Sequence, residues 1–333
     1  MTFKPLRCLA PLAVAGFLSA SVAVAAPEIA PAEIAKKAEK SLLVSIAKAG
    51  DRLVAVGAYG HILLSDDNAV TWRQVDVPVN NLLTEIYFLD AKRGWVVGHD
   101  ATILFTEDGG ETWAIQHFDA SMEPFFDVLF FDEQRGVAIG AYGQAMMTSD
   151  AGANWTMADS ELAGGMHLNS IARLNDGSYL VVGESGLVAL SSDAGVTWRL
   201  LEAPFESSLF SVAPLGASGA LVGGLRGNVF AIDNVLTGSW QEVKTGTVQS
   251  VFGIDKDGAG GFWMAGLNGS LLHADPNLNV TRADTRVANG EGGEENLIAT
   301  AIGGVAYSDV MTLDDETLVV VGDSGVKRMG FTR

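Results

Sequence analysis

The chain has 333 residues, 48% of them hydrophobic, and its 40 acidic side chains outnumber 21 basic ones for a formal charge of −19. A surface of that sign repels phosphate backbones and anionic headgroups, which excludes nucleic acid as a partner and favours basic protein surfaces or cations. The single cysteine, Cys8, excludes a disulfide framework and a thiolate metal site.

Lys4 and Arg7, an apolar stretch over 9–24 and the small residues Ala23-Val24-Ala25 predict a signal peptide over residues 1–25. An uncleaved anchor is the alternative, weakened by Pro11 and Gly16. Cleavage implies a periplasmic chain, without cysteine and more negative by the two lost cations. No later stretch has the roughly 18 apolar residues of a membrane span, so direct membrane insertion is not expected. Residues 26–40 form an N-terminal segment. Pro27 to Lys40 could add a strand that closes the fold, although Ala32 to Lys40 reads more as a short helix.

Residues 41–333 are repetitive. SDDNAVTW (Ser65 to Trp72), TEDGGETW (Thr106 to Trp113), TSDAGANW (Thr148 to Trp155) and SSDAGVTW (Ser191 to Trp198) share the pattern [ST]-x-D-x-[GA]-x-[TN]-W. An apolar triplet with a glycine pair three apart precedes each, with Ala101 replacing the second glycine once. The first glycines are Gly57, Gly98, Gly140, Gly183, Gly224, Gly266 and Gly322, at spacings of 41, 42, 43, 41, 42 and 56. A period near 42 marks a repeat architecture. Within the second unit, Glu85 to Leu89, Trp95 to Val97, Ile103 to Phe105 and Trp113 to Gln116 read as four short strands. The expectation is an all-β, seven-bladed β-propeller of four-stranded blades in one domain, acting as a monomer. The long last spacing places an acidic insertion near 281–296.

Ser65, Asp67 and Trp72, Thr106, Asp108 and Trp113, Thr148, Asp150 and Trp155, and Ser191, Asp193 and Trp198 are therefore read as structural. The hydroxyl and carboxylate lock a hairpin, and the tryptophan covers it. Four copies do not suit an active site, which needs one constellation. The motif resembles the Asp-box, or BNR repeat, of sialidases, where the hairpin lies opposite the catalytic face. Sialidase chemistry implies an arginine triad and a Tyr–Glu pair, and the Arg-Ile-Pro-like segment of that family is absent. A glycan-binding or sialidase-like propeller is the second reading.

DAKRGWVVGHDATILFTEDGGETW (Asp90 to Trp113) and DEQRGVAIGAYGQAMMTSDAGANW (Asp132 to Trp155) resemble the photosystem II stability/assembly-factor-like family. That resemblance implies a lumenal or periplasmic propeller without catalytic residues or cofactor, serving a membrane or envelope protein complex. Relatives in non-photosynthetic bacteria suggest a resistance-nodulation-division exporter as client. The scattered arginines depart from the arginine-rich patch of the photosynthetic members. In such a propeller the glycine-paired turns ring one face, so Tyr59, His99, Asp100, Tyr142, Glu184, Arg226, Asn268 and Asp323 are the candidate partner-binding residues. Metal is not expected: the five histidines lack paired ligand spacing. Asp255-Lys256-Asp257-Gly258 has Gly266 where a calcium loop needs its bidentate glutamate, and reads as a hairpin turn.

Overall fold

The computed structural model describes residues 29–158, 164–282, 285–288, 294–295 and 304–331. Blade 1 runs through Leu43–Ala49, Arg52–Gly57, Ile62–Ser65 and Arg73–Gln74, each strand antiparallel to the next. Blades 2 to 6 repeat this order from the inner strands Leu83–Phe88, Phe125–Phe130, Leu168–Arg173, Leu209–Leu215 and Val251–Lys256. Each inner strand packs on those of its two neighbours, and the inner strand of blade 7, Tyr307–Thr312, packs on that of blade 1. The seven sheets thus close into a seven-bladed β-propeller.

The sequence pattern explains the layering. The second strand of each blade lies between two neighbouring blades, and runs such as Gly94–Gly98, Tyr179–Gly183 and Thr317–Gly322 are buried throughout. A strand covered on both faces reads as a continuous apolar run. The core sits between blades: Val54, Val56, Ile62 and Leu64 of blade 1 pack with Ile86, Val96 and Leu104 of blade 2. Each such side chain contributes about 1.5–3 kcal/mol by leaving water. Fourth strands such as Arg73–Gln74, Arg199–Leu200 and Gln241–Glu242 are two residues long and polar or exposed, which blunts the sheet edges.

Blade 7 takes its fourth strand from the long sixth interval, not from the N-terminal segment. Thr285–Ala288 pairs with Gly325–Phe331 through Thr285↔Phe331 and Val287↔Met329, and Glu294–Glu295 adds a fifth strand. Much of the predicted 281–296 insertion lies outside the described residues, as does the predicted signal peptide. The N-terminal segment cannot serve as that strand because its polar backbone is engaged elsewhere. The Ala32 N–H donates to Val77 O at 2.9 Å, and the Gln74 amide bonds Ala35 N and Glu33 O at 2.8 and 3.0 Å. Among its described residues only Ala38–Lys40 is helical, as one 3-10 turn. The segment instead follows the path of a blade-to-blade link. A Cβ on Gly325 would collide with the Glu39 carbonyl, as one on Gly60 would collide with that of Val79 in the link from blade 1 to blade 2.

The Asp motifs form the expected hairpin between third and fourth strands. Ser191 Oγ donates to Asp193 Oδ1 at 2.8 Å and accepts the Gly195 N–H at 2.9 Å. Asp193 accepts the Thr197 N–H and hydroxyl at 2.9 and 2.5 Å. The same bonds recur around Ser65 and Asp67, Thr106 and Asp108, and Thr148 and Asp150. The Thr71 hydroxyl and N–H hold the Asp67 carboxyl at about 2. Trp113 is buried between blades 1 and 2, and Trp155 meets Phe130 edge-on.

Candidate docking face

Alternating strand direction places the second-to-third-strand turns and the blade-to-blade links on one face, and the Asp-box hairpins on the other. In blade 1 the His61 N–H donates to Ala58 O at 3.1 Å, with Tyr59 and Gly60 at φ 61° and 69°. Two consecutive left-handed residues define a type I′ turn, for which Asn-Gly is the preferred pair. Asn268–Gly269 matches it; Tyr142–Gly143, Ser185–Gly186, Arg226–Gly227 and Asp100–Ala101 hold the same left-handed geometry with other residues. A left-handed non-glycine residue costs about 1–2 kcal/mol. Tyr59 and Tyr142 bear that strain while 68% and 63% exposed. Arg226 is exposed as well.

The predicted residues therefore lie in the turns of one face, with local differences. In blade 4 the left-handed position is Ser185, and Glu184 precedes it. In blade 2 it is Asp100, with His99 before it. Asp323 is exposed in the Gly322–Gly325 hairpin of blade 7, where Gly325 is the left-handed residue.

Sequence reasoning placed Tyr142 and Glu184 in separate turns, and His167 brings them together. The Tyr142 N–H donates to His167 Nδ1 at 3.0 Å, and the two rings lie 4.7 Å apart. The His167 N–H donates to Glu184 Oε2 at 3.1 Å, and His167 Nε2 lies 4.0 Å from the same oxygen. Phe126, one residue into the inner strand of blade 3, meets the imidazole edge-on at 5.8 Å. The matching position carries Phe210 in blade 5 and Phe252 in blade 6, half-buried with centroids 5.5 Å apart. Leu225, Leu267 and Val248 are exposed on the same side. A cleft of about 680 Å³ opens between the N-terminal segment and Tyr59, His61 and Asn80. His61, which accepts or donates to Ser41 Oγ at 2.8 Å, is shifted down by burial.

A second feature escaped the sequence reading. Glu85, Asp127, Asp255 and Asp309 lie on the inner strands, half-buried along the central channel and enclosed by protein. Desolvation pushes Asp127 and Asp309 up to about 7, raises Asp255, and, with Asp127 and Asp309 close by, raises Glu85 well above the usual carboxylate range. Their hydrogen bonds cross the wedges between blades. Asp127 accepts the Ile171 N–H at 2.8 Å, Asp255 the Thr312 N–H at 2.7 Å, and Glu85 the Ser45 hydroxyl at 2.5 Å. These acids brace strands of neighbouring blades. Among the described residues no group of three His, Cys, Asp or Glu is placed to hold a metal ion. Asp257 accepts the Ala259 and Gly261 N–H groups, as a hairpin turn requires.

The sequence profile of photosynthesis system II assembly factor YCF48 matches residues 64–328. The chain belongs to that family. Among curated relatives, the chloroplastic photosystem II stability/assembly factor HCF136 of Guillardia theta is 44% identical over 59 residues, 17% of this chain and 15% of its own. The photosystem II assembly protein Ycf48 of Synechococcus sp. (strain JA-3-3Ab) is 38% identical over 79 residues, 22% of this chain and 23% of its own. The matches thus span less than a quarter of those relatives. A solved structure of YCF48 bound to a D1 peptide superposes with a TM-score of 0.67 at 14% identity, covering 92% of this chain and 97% of that one. YCF48 from Cyanidioschyzon merolae gives 0.65 at 14% identity, over 90% and 98%. The extracellular domain of a putative hybrid two-component system from B. thetaiotaomicron gives 0.67 at 14% identity, over 90% of this chain and 40% of that one. At such identity these structures share the fold.

The two faces differ in the side chains they present. On the Asp-box face, Arg52 and Arg73 are paired with Asp66 and Glu111, Arg93 with Asp90 and Glu133, and Arg135 with Asp132. These arginines are neutralised in place. The opposite face carries the strained tyrosines, the half-buried phenylalanines and Arg226.

Proposed function

We propose that this YCF48-family chain works, after export to the periplasm, as a non-catalytic docking propeller that helps assemble or support a membrane protein complex, with an RND-type exporter as the client class. The observation that carries the reading is the face of type I′ turns, where Tyr59 and Tyr142 are strained and exposed. Strain held at a surface position points to function, since an asparagine would relieve it. Tyrosine and arginine are the residues that most often anchor protein interfaces. The D1-peptide complex of a YCF48 structure supports a protein client by analogy.

The test is site-specific photocrosslinking in the native cell envelope. A crosslinker at Tyr59 or Arg226 is expected to trap a membrane-complex subunit, and one at Asp193 on the opposite face is not. Equal trapping from both faces, or none from the turn face, would reject this assignment.

A further inference from the structure

The cluster around His167 indicates what kind of side chain the docking face receives. Three groups from two blades brace one another. The Tyr142 N–H occupies His167 Nδ1, so in the neutral imidazole the ring proton sits on Nε2. That nitrogen lies 4.0 Å from Glu184 Oε2, which the His167 backbone N–H holds at 3.1 Å. Phe126 backs the imidazole at 5.8 Å. The result is an exposed phenol ring beside a positioned carboxylate, with a polarisable imidazole between them.

We propose that Tyr142, His167 and Glu184 form a subsite for an arginine side chain on an extended segment of the protein partner. This rests on the docking reading above and gives it a chemistry. Glu184 makes no ion pair with a lysine or arginine among the described residues; its one ion-pairing neighbour is His167. A planar guanidinium can lie on the Tyr142 face and fork toward the Glu184 carboxylate at once; an ammonium offers only a point charge. Glu123 and Glu206, exposed in the flanking links, carry the same sign. With the whole chain at −19, the local field attracts a cationic segment and repels an acidic one.

The probe is N-acetyl-arginine amide, titrated into the purified protein carrying isotope-labelled histidines, with the citrulline analogue as the uncharged control of equal shape. Arginine is expected to move the His167 ring signals saturably. Glu184→Gln and Tyr142→Ala should each weaken that response about three- to tenfold, while Tyr142→Phe, which keeps the ring, preserves it. Added salt should weaken it further. An equal response to citrulline overturns the proposal. So does an unmoved His167, or a response indifferent to Glu184→Gln in a variant whose remaining spectrum matches the parent. The crosslinking result separates the two readings. A client trapped at Tyr59 without any arginine response rejects the subsite and leaves docking intact. An arginine response without a trapped client supports the subsite and rejects the assembly role.

Discussion

The carboxylate of Asp309 in blade 7 accepts the backbone N–H of Ile46 in blade 1 at 3.2 Å, spanning the seam where the last blade meets the first. Inner strands of neighbouring blades pack without a hydrogen-bonded ladder between them, so such side-chain bonds are the polar stitching of the ring. Asp309→Ala leaves the Ile46 N–H without that acceptor. It is expected to cost about 1–3 kcal/mol in urea unfolding, the usual penalty for orphaning a buried donor. Asp309→Asn keeps an acceptor oxygen and should retain most of the stability. Equal losses in both variants would mean that the bond is not what matters at the seam.

The same carboxylates set a pH dependence. Asp127 and Asp309 hold their protons up to about 7 in the folded chain, against about 4 for an unfolded carboxyl. Between those values the folded state binds more protons than the unfolded state, so stability falls as pH rises. Asp67 and Asp90, held at about 2 by their hydrogen bonds, act the other way, and their contribution is lost as pH falls from 4 toward 2. The urea midpoint should therefore be highest near pH 4 and decline toward pH 8. The double variant Asp127→Asn, Asp309→Asn should flatten that decline. A midpoint that rises from pH 5 to 8 would contradict it.

The blades were legible in the sequence because each repeat restates the same local chemistry. A glycine pair flanks six of the seven tight turns, and a Ser/Thr–Asp couple marks four of the hairpins. The channel acids were hidden for a physical reason. Glu85, Asp127 and Asp309 occupy one structural position, two residues past the start of the inner strand, which the seven blades fill with Ser45, Glu85, Asp127, Ser170, Ser211, Gly253 and Asp309, while Asp255 lies two residues further along its strand. The role needs only some blades to supply an acceptor, so no repeated residue type announces it. Gly253 lacks a side chain because the Asp309 carboxylate fills that space. Aligning the units on their first glycines would have exposed this polar position. The role of His167 was hidden for another reason. The residue lies in a blade-to-blade link, outside the repeated motifs, and its partners Tyr142 and Glu184 come from consecutive turns 42 residues apart. The fourth strand of blade 7 is a third such case: Thr285–Ala288 precedes the blade it completes.

The strained turns predict a trade between stability and binding. Tyr59→Asn places the preferred residue of a type I′ turn before Gly60 and should stabilise the fold by about 0.5–1 kcal/mol. Its ring lies 5.8 Å from His61 and is mostly exposed, so little packing is lost. The same change should reduce client crosslinking from neighbouring turn positions. A less stable Tyr59→Asn protein would show that the tyrosine is there for the fold.

Asp193→Ala tests the opposite face. The substitution removes the acceptor for the Thr197 N–H, the Thr197 hydroxyl and the Ser191 hydroxyl together. Water can reach the exposed Thr197 groups, which limits the penalty; the Ser191 hydroxyl is buried and must rotate to a new partner. The expected loss is about 1–2 kcal/mol, read as a lower urea midpoint with an unchanged slope. Because this hairpin lies across the blade from the type I′ turns, client crosslinking from Tyr59 and the arginine response at His167 should both survive in the folded variant. A loss of either at a temperature where the variant is fully folded would move the docking surface onto the Asp-box face.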